Sequence, residues 1–326
     1  MCIRDSLSTM PFNSCNTELN MINNNDKYIA TESTLSNLPK FKITEEVINA
    51  SNLNLNDNHN EINLSNLSNC EYYSCTRFQE IMAENNNHNV NIFHNNLNDL
   101  ETKFEKVHNF LSNVTIDLDI IALRQTSQQI NDETFKTNVE LPGYTLFSTP
   151  TKSGKGGTAI YSNKKLDTIE RKDLNITHDQ YESIWIEIKN KNCKNLIIGS
   201  IYRHPHDNMD VYNSYLDYLE LILSKLTKEN KEIYNCGDFN SDLLKIDIRS
   251  NYKRFYDLMS SNGLFPFILL PTRIDGDSAT IVDNIFTNNL SNSIFSGNII
   301  TDFSDHFSQF ISIQKPKMDY KSFYHL

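Results

Sequence analysis

"YNCGDFNSD" (Tyr234–Asp242) decides the fold. Apolar residues run into Gly237, and then Asp238 and Asn240 sit two apart on a polar turn. The pattern reads as a strand that delivers a carboxylate and an amide to one sheet edge. Asp238 can take a proton, and Asn240 can donate to a phosphate oxygen without adding repulsive charge. Gly, Asp and Asn are also ordinary turn residues, so the stretch gains meaning only from what surrounds it.

Upstream, "NLIIGSIYR" (Asn195–Arg203) is a buried-strand pattern that brings Tyr202 and Arg203 to its end, and Pro205 stops it. "MDVYNSYLDYLELILSKL" (Met209–Leu226) follows as an amphipathic helix. Downstream, "NYKRFYDLMSSNGL" (Asn251–Leu264) predicts a helix that stops at Gly263. "TIVDNIFTN" (Thr280–Asn288) reads as a strand interrupted by Asp283, a carboxylate that is costly to bury unless paired. "DFSDHFSQF" (Asp302–Phe310) carries the adjacent pair Asp305 and His306. Neighbours on an extended backbone point in opposite directions, so Asp305 cannot orient His306. Asp283 is the carboxylate left to do so, and His306 is a natural acid or base near neutral pH.

The same alternation extends toward the N-terminus. "NVNIFHNN" (Asn89–Asn96), "LDIIAL" (Leu118–Leu123), "GYTLFST" (Gly143–Thr149), "GTAIYSN" (Gly157–Asn163) and "SIWIEI" (Ser183–Ile188) all read as strands. Between the first two, Leu97, Leu100, Phe104, Val107 and Leu111 fall on one helical face. Many strands with few, separated helices suggest two sheets packed face to face with helices outside. Strands arriving at one edge can pool their polar ends in a single cleft. No repeat of fixed period is visible.

Composition limits the alternatives. The first 88 residues or so of the 326 are rich in Asn, Ser and Thr, and are expected to be a weakly ordered leader (1–88). The globular domain is expected at 89–316, with a tail at 317–326. The opening "MCIRDS" looks like a translated sequencing-library adaptor. A net charge of −11 counts against tight non-specific binding to nucleic acid. Of six Cys, only Cys193 and Cys236 lie in the globular part, so a disulfide framework is not expected. No apolar run approaches the ~18 residues of a membrane span. "KSGKGGTAIYS" fails as a phosphate loop, because Lys155 precedes Gly156 and a strand follows. His204 and His206 lack a third ligand for a transition metal.

Taken in order, "FHNN", "IIALRQTS", "GGTAIY", "SIYRHP", "GDFN", "PTRIDGDSATIVDNIFTN" and "SDHFSQF" resemble the endonuclease/exonuclease/phosphatase superfamily. More narrowly, they resemble the apurinic-type endonuclease domain of non-LTR (LINE-like) retrotransposons. The resemblance implies a four-layered α/β sandwich, two mainly antiparallel sheets flanked by helices, that hydrolyses phosphodiesters with Mg²⁺ (or Mn²⁺). It implies catalytic roles for His306, Asp283, Asp238 and Tyr202: Asp238 orients or deprotonates water, and Asp283 orients His306 to stabilise the transition state. Asn240, Thr272 and Arg203 would meet the substrate, with Asn96, Asp305 and residue 125 on the metal side. The partner would be DNA, with no membrane, and the protein a nuclear monomer. The absence of a following reverse transcriptase would mark a fragment.

At the metal position the resemblance is broken. The family's pattern is Ala-Leu-x-Glu-Thr, and here Gln125 stands where the glutamate would be, after Arg124. At an effective dielectric of ~20 and ~2 Å, one charge facing a dication is worth well over 10 kcal/mol before solvation cancels most of it. A net loss of a few kcal/mol suffices for ~100-fold weaker binding or turnover. The sequence therefore predicts a DNA-nicking endonuclease with weakened activity. Two alternatives remain: a non-catalytic relic or nucleic-acid-binding module of the same fold, and a lipid or inositol phosphate phosphodiesterase.

Overall fold

Two parallel strand pairs, each bridged by a helix, organise the chain. The computed structural model describes residues 19–22, 27–44, 47, 69–84, 89–114, 118–127, 134–151, 156–191, 193–205, 208–290 and 294–314. The elements begin with a hairpin of β1 (Leu19–Ile22) and β2 (Lys27–Ala30), then α1 (Glu32–Leu35), β3 (Cys70–Tyr73) and α2 (Cys75–Glu84). The first crossover is β4 (Asn89–Asn96), α3 (Leu100–Asn113) and β5 (Ile120–Arg124). After α4 (Phe135–Asn138) come β6 (Tyr144–Thr149), β7 (Thr158–Asn163), β8 (Thr168–Glu170), β9 (Ile176–Thr177) and β10 (Tyr181–Ile188). The second crossover is β11 (Leu196–Arg203), α5 (Met209–Leu226) and β12 (Glu232–Asp238), followed by α6 (Ser250–Ser261). The chain continues through β13 (Phe265–Pro266), β14 (Arg273–Asp275), β15 (Ser278–Thr280), β16 (Asp283–Thr287), β17 (Ile294–Ile299) and β18 (Ser308–Gln314).

One sheet has the order β3-β17-β18-β4-β5-β7-β6, and the other β13-β16-β12-β11-β10-β8, with β9 also on β10. Parallel pairing joins β4 to β5, β11 to β12 and β3 to β17, while the other pairs are antiparallel. Side chains alternate between faces along each strand. Ile92, Ile120, Ala122 and Ile160 of the first sheet join Ile184, Ile186 and Ile198 of the second in a shared core. Phe93, Ile121, Leu123 and Tyr161 point the other way, onto Phe78 of α2 and Leu100 and Val107 of α3. The second sheet is covered outside by α5 and α6, through residues such as Leu219, Leu223 and Phe255. This is the expected four-layer α/β sandwich. Inside it, Trp185 lies so close over Gly199 that a Cβ there would overlap its ring.

Local chemistry explains where elements differ from the sequence pattern. Helix α3 starts at Leu100 rather than Leu97, because the Asp99 carboxylate caps the amides of Glu101 and Thr102. Leu97 is buried in the preceding turn, where its amide donates to the Arg124 carbonyl at 3.2 Å. Gly263, at φ +75°, follows the end of α6 as expected. The expected strand through Asp283 is divided: Ser278–Thr280 pairs with Arg273–Asp275, and β16 begins at Asp283 itself.

The folded unit also extends upstream of residue 89. Strand β3 pairs with β17, the Phe41 amide donates to the Leu269 carbonyl at 2.8 Å, and Tyr72 donates to the Pro271 carbonyl at 2.9 Å. Leu35 and Phe41 belong to the main core. The remainder of the expected leader, the tail at 317–326, Lys155 and His206 lie outside the described residues. Among described cysteines, Cys70 and Cys236 are buried free thiols, and Cys75 is disulfide-bonded, where no disulfide framework was expected. No helix among the described residues is long and apolar enough to cross a membrane.

Candidate active site

The site is made of two facing rows of side chains. Register partners on neighbouring strands share a face of their sheet. In the second sheet Glu182 pairs with Tyr202, Tyr202 with Asp238, and Asp238 with Asp283, so four polar residues cross four strands at one level. In the first sheet Asn96 pairs with Arg124 in the same way. The rows meet across the sandwich. Asn96 Nδ2 donates to Asp238 Oδ2 at 2.8 Å, and Arg124 Nη2 donates to the Asp238 carbonyl at 3.1 Å. The Arg124 guanidinium also lies 4.8 Å from the Tyr202 ring centre. All six residues are buried.

His306, just ahead of β18, completes the group. Its Nδ1 lies 2.7 Å from Asp283 Oδ2. Thr272 donates its hydroxyl to the same oxygen at 2.7 Å and accepts the Asp283 amide at 3.2 Å. Ser304 accepts the His306 amide at 3.1 Å and donates to the Asn96 carbonyl, tying the two loops together. Burial disfavours the charged imidazole, but the charge and hydrogen bond of Asp283 outweigh it and raise His306 to about 9, with Asp238 and Asp305 adding to the effect. His306 is therefore an imidazolium at neutral pH. Burial opposes ionisation of Asp283 too, yet His306 holds its carboxyl below the ordinary range. Asp238 is pushed the other way, first by burial and then by Asp283, which makes it the more basic of the two carboxylates.

The remaining expected residues divide. Asn240 stands at the turn, left-handed at φ +44°, with its amide on Asp238 Oδ1 at 2.9 Å and Nδ2 on the Arg203 carbonyl at 2.6 Å. Arg203, expected to bind substrate, instead donates to the carbonyls of Phe239, His204 and Asn240, clipping β11 to the turn after β12. Thr272, expected near a DNA backbone, is fully buried beneath Asp283. Asp305, expected on the metal side, is held by Arg273 at 2.7 Å and Asn98 at 2.9 Å at the exposed rim.

Two groups went unread in the sequence. His94 lies behind Asp283, its Nε2 4.0 Å from Oδ1, and burial lowers it to about 3, so it is neutral. Its Nδ1 faces the Ala122 carbonyl at 3.0 Å and carries the proton. Glu182, fully buried, lies 3.2 Å from His204 Nε2, and the His204 ring packs against Tyr202. Strand parity contained the signal: His94 lies between Ile92 and Asn96, and Glu182 precedes Ile184 and Ile186, all on inward positions.

Gln125 leaves β5 in the left-handed region, at φ +51°. Its Nε2 donates to the Tyr202 hydroxyl at 2.7 Å, and its Oε1 is buried without a hydrogen-bond partner among the described residues. Ligand atoms of Asp238, Asp283 and His306 come within 4.8 Å of one another, a spacing a cation could bridge. One side of it, between His306 and Asp283, is already closed by a hydrogen bond. At residue 125 only an amide is offered, Asn96 Oδ1 accepts the Asn98 amide at 3.3 Å, and a buried guanidinium stands alongside. On this side of the cleft the residues present therefore offer Mg²⁺ no carboxylate, the ligand through which it is usually bound, and they fit it poorly.

The layering and the converged edge define a class, the two-sheet α/β sandwiches with a polar cleft at one end. Within that class, the family described as Endonuclease/Exonuclease/phosphatase matches residues 87–306, and the chain belongs to it. No curated protein matches the sequence. Among solved structures, the chain is similar to AP endonuclease LMAP from Leishmania major, with TM-score 0.61 and 11% identity over 84% of this chain and 100% of that one. It is similar to the Xenopus laevis APE2 catalytic domain, with TM-score 0.52 and 13% identity over 69% and 92%. It is also similar to the endonuclease domain of TRAS1, a telomere-specific non-LTR retrotransposon, with TM-score 0.50 and 18% identity over 69% and 98%. At these identities the likeness shows the fold.

Proposed function

We propose that this domain is a phosphodiester hydrolase of the DNA-nicking type, of non-LTR retrotransposon lineage, with activity weakened at Gln125. The observation that carries the reading is the 2.7 Å contact of His306 with Asp283, within 4.8 Å of Asp238. It supports a division of labour between two carboxylates. Asp238, the more basic, takes a proton from attacking water while Asn96 holds its other oxygen. His306, kept cationic by Asp283, meets the charge that grows on the phosphate oxygens. Asn240 and Tyr202 stand at the same edge to contact the phosphate. In family members of this kind a divalent ion stabilises the same charge.

DNA is the substrate favoured by the names of two of the similar structures, an AP endonuclease and a retrotransposon endonuclease domain. In that lineage the nick would start target-primed reverse transcription in the nucleus, with the domain acting as a monomer beside a reverse transcriptase. The test is nicking of supercoiled plasmid in Mg²⁺ or Mn²⁺ by the wild type and by Gln125→Glu. We expect slow nicking that rises by ~100-fold in the variant, the effect of restoring a few kcal/mol of charge stabilisation. No nicking by Gln125→Glu, even with Arg124→Gln added, refutes hydrolysis. That outcome, with DNA binding retained, favours the second reading, a non-catalytic binding module, for which Gln125 and the buried Arg124 already speak.

A further inference from the structure

Arg124 occupies a position where its sequence neighbours predict an apolar side chain. Ile120 and Ala122, on the same face of β5, fill the core between the sheets. Arg124 follows them inward and is fully buried. A buried guanidinium is ordinarily held by a carboxylate through paired hydrogen bonds. Here its one hydrogen bond goes to a backbone carbonyl, and Nε and Nη1 have no partner among the described residues. Stacking on Tyr202 accounts for the flat shape of the group but not for its charge. Burial works against that charge, and the groups that favour it most are Asp238 and then Asp283. The two carboxylates have the converse need, since adjacent buried anions repel. His306 offsets one of them, and Arg124 is the cation left to offset the other.

We infer that Arg124 is the fixed counter-cation of this site: its guanidinium balances the Asp238–Asp283 pair in the role a divalent ion would otherwise fill, so the cleft assembles without metal and resists one. The inference rests on reading this cleft as a phosphodiester site, and it deepens that reading by naming a second obstacle beside Gln125. A dication entering this group meets a buried guanidinium beside the two carboxylates rather than a pair of free anions. Arginine does not titrate in the working range, so the obstacle is present at every ordinary pH.

Binding of Mn²⁺ alone tests this on the full-length chain, by the loss of its free-ion EPR signal, for wild type, Gln125→Glu, Arg124→Gln and the double variant. Thermal unfolding of each is followed in EDTA and in Mn²⁺. The wild type is expected to show no saturable site below about 1 mM and a melting temperature within about 1 °C in the two buffers. The double variant should bind Mn²⁺ at least ~10-fold more tightly than Gln125→Glu. Equal affinity of those two variants overturns the inference, because the guanidinium would then oppose nothing. So does a tight Mn²⁺ site in the wild type. If Arg124→Gln does not fold, Arg124→Lys keeps the charge: it should fold and still exclude Mn²⁺, and saturable binding by it overturns the inference. Plasmid nicking is read separately. If every variant is inactive while the Mn²⁺ pattern holds, the hydrolase reading fails and the role of Arg124 stands.

Discussion

Replacing Asp283 by Asn should move both the charge of His306 and the pH dependence of stability. The substitution keeps the shape and an oxygen for His306 Nδ1 and for Thr272, but it removes the anion. In the wild type, Asp283 raises His306 from an ordinary imidazole value of ~6.5 to about 9 against the opposing effect of burial. Because the folded value lies above the unfolded one, the group stabilises the fold fully below pH ~6.5 and loses that contribution as pH rises through about 9. At ~1.4 kcal/mol per pH unit, the wild type should lose roughly 2–3 kcal/mol between pH 6.5 and 9 from this pair. Urea unfolding across that window measures the loss. Asp283→Asn should flatten the profile by the same amount, since the other ionisable groups are common to both proteins. An NMR titration of the His306 Cε1 proton should give a midpoint near 9 in the wild type and one at or below the ordinary range in the variant. Parallel stability profiles, or a wild-type midpoint near 6.5, would refute the ion pair and the division of labour built on it.

Three further substitutions or deletions probe the frame that holds the pair. Thr272→Val removes the hydroxyl on Asp283 Oδ2, and in the Gln125→Glu background it should lower kcat by about 10-fold with KM unchanged and cost ~1 kcal/mol in urea unfolding. A rise in KM alone would return Thr272 to the substrate. Gly199→Ala drives a methyl into the Trp185 ring, and should cost about 1–3 kcal/mol and alter tryptophan fluorescence. An unchanged melting temperature would contradict that packing. Removing residues 1–88 deletes β3 and the core residues Leu35, Phe41, Phe78 and Met82, so the shortened chain should unfold at a clearly lower midpoint than the full one. Equal midpoints would return the domain boundary to residue 89.

Much of this was legible because it is local or periodic. Strand β5 is a continuous apolar run up to Arg124, and β11 is nearly one up to Tyr202, as buried parallel strands must be. The pairing of His306 with Asp283 followed from elimination, since Asp305 points away, and the structure gives 2.7 Å for the contact. What stayed hidden depends on register, which no single strand encodes. The level shared by Glu182, Tyr202, Asp238 and Asp283 appears only once four strands are aligned. Strand β3 was lost in an Asn-rich stretch because its partner β17 lies more than 200 residues away. Thr272 was placed with the substrate by the family resemblance, which does not say which way its hydroxyl turns. Only the fold shows its hydroxyl turned inward to Asp283.

The geometry of this site is more durable than its chemistry, and the topology explains why. Asn96, Arg124, Tyr202 and Asp238 lie at the C-terminal ends of the two parallel pairs β4–β5 and β11–β12, each set by its crossover helix. Asp283 begins β16 and His306 precedes β18, the antiparallel neighbours of those pairs, so they arrive at the same edge from the opposite direction. Convergence is thus a property of the sheets, held by the apolar core between them. A neutral amide at 125 leaves every one of those positions in place and keeps its own contact with Tyr202. The change falls on charge alone, at a point where a carboxylate and a guanidinium have opposite effects on a cation. Residues 124 and 125 are adjacent at the end of β5, so activity in this fold turns on two side chains at one strand end, and exchanging them should change the metal dependence without changing the architecture.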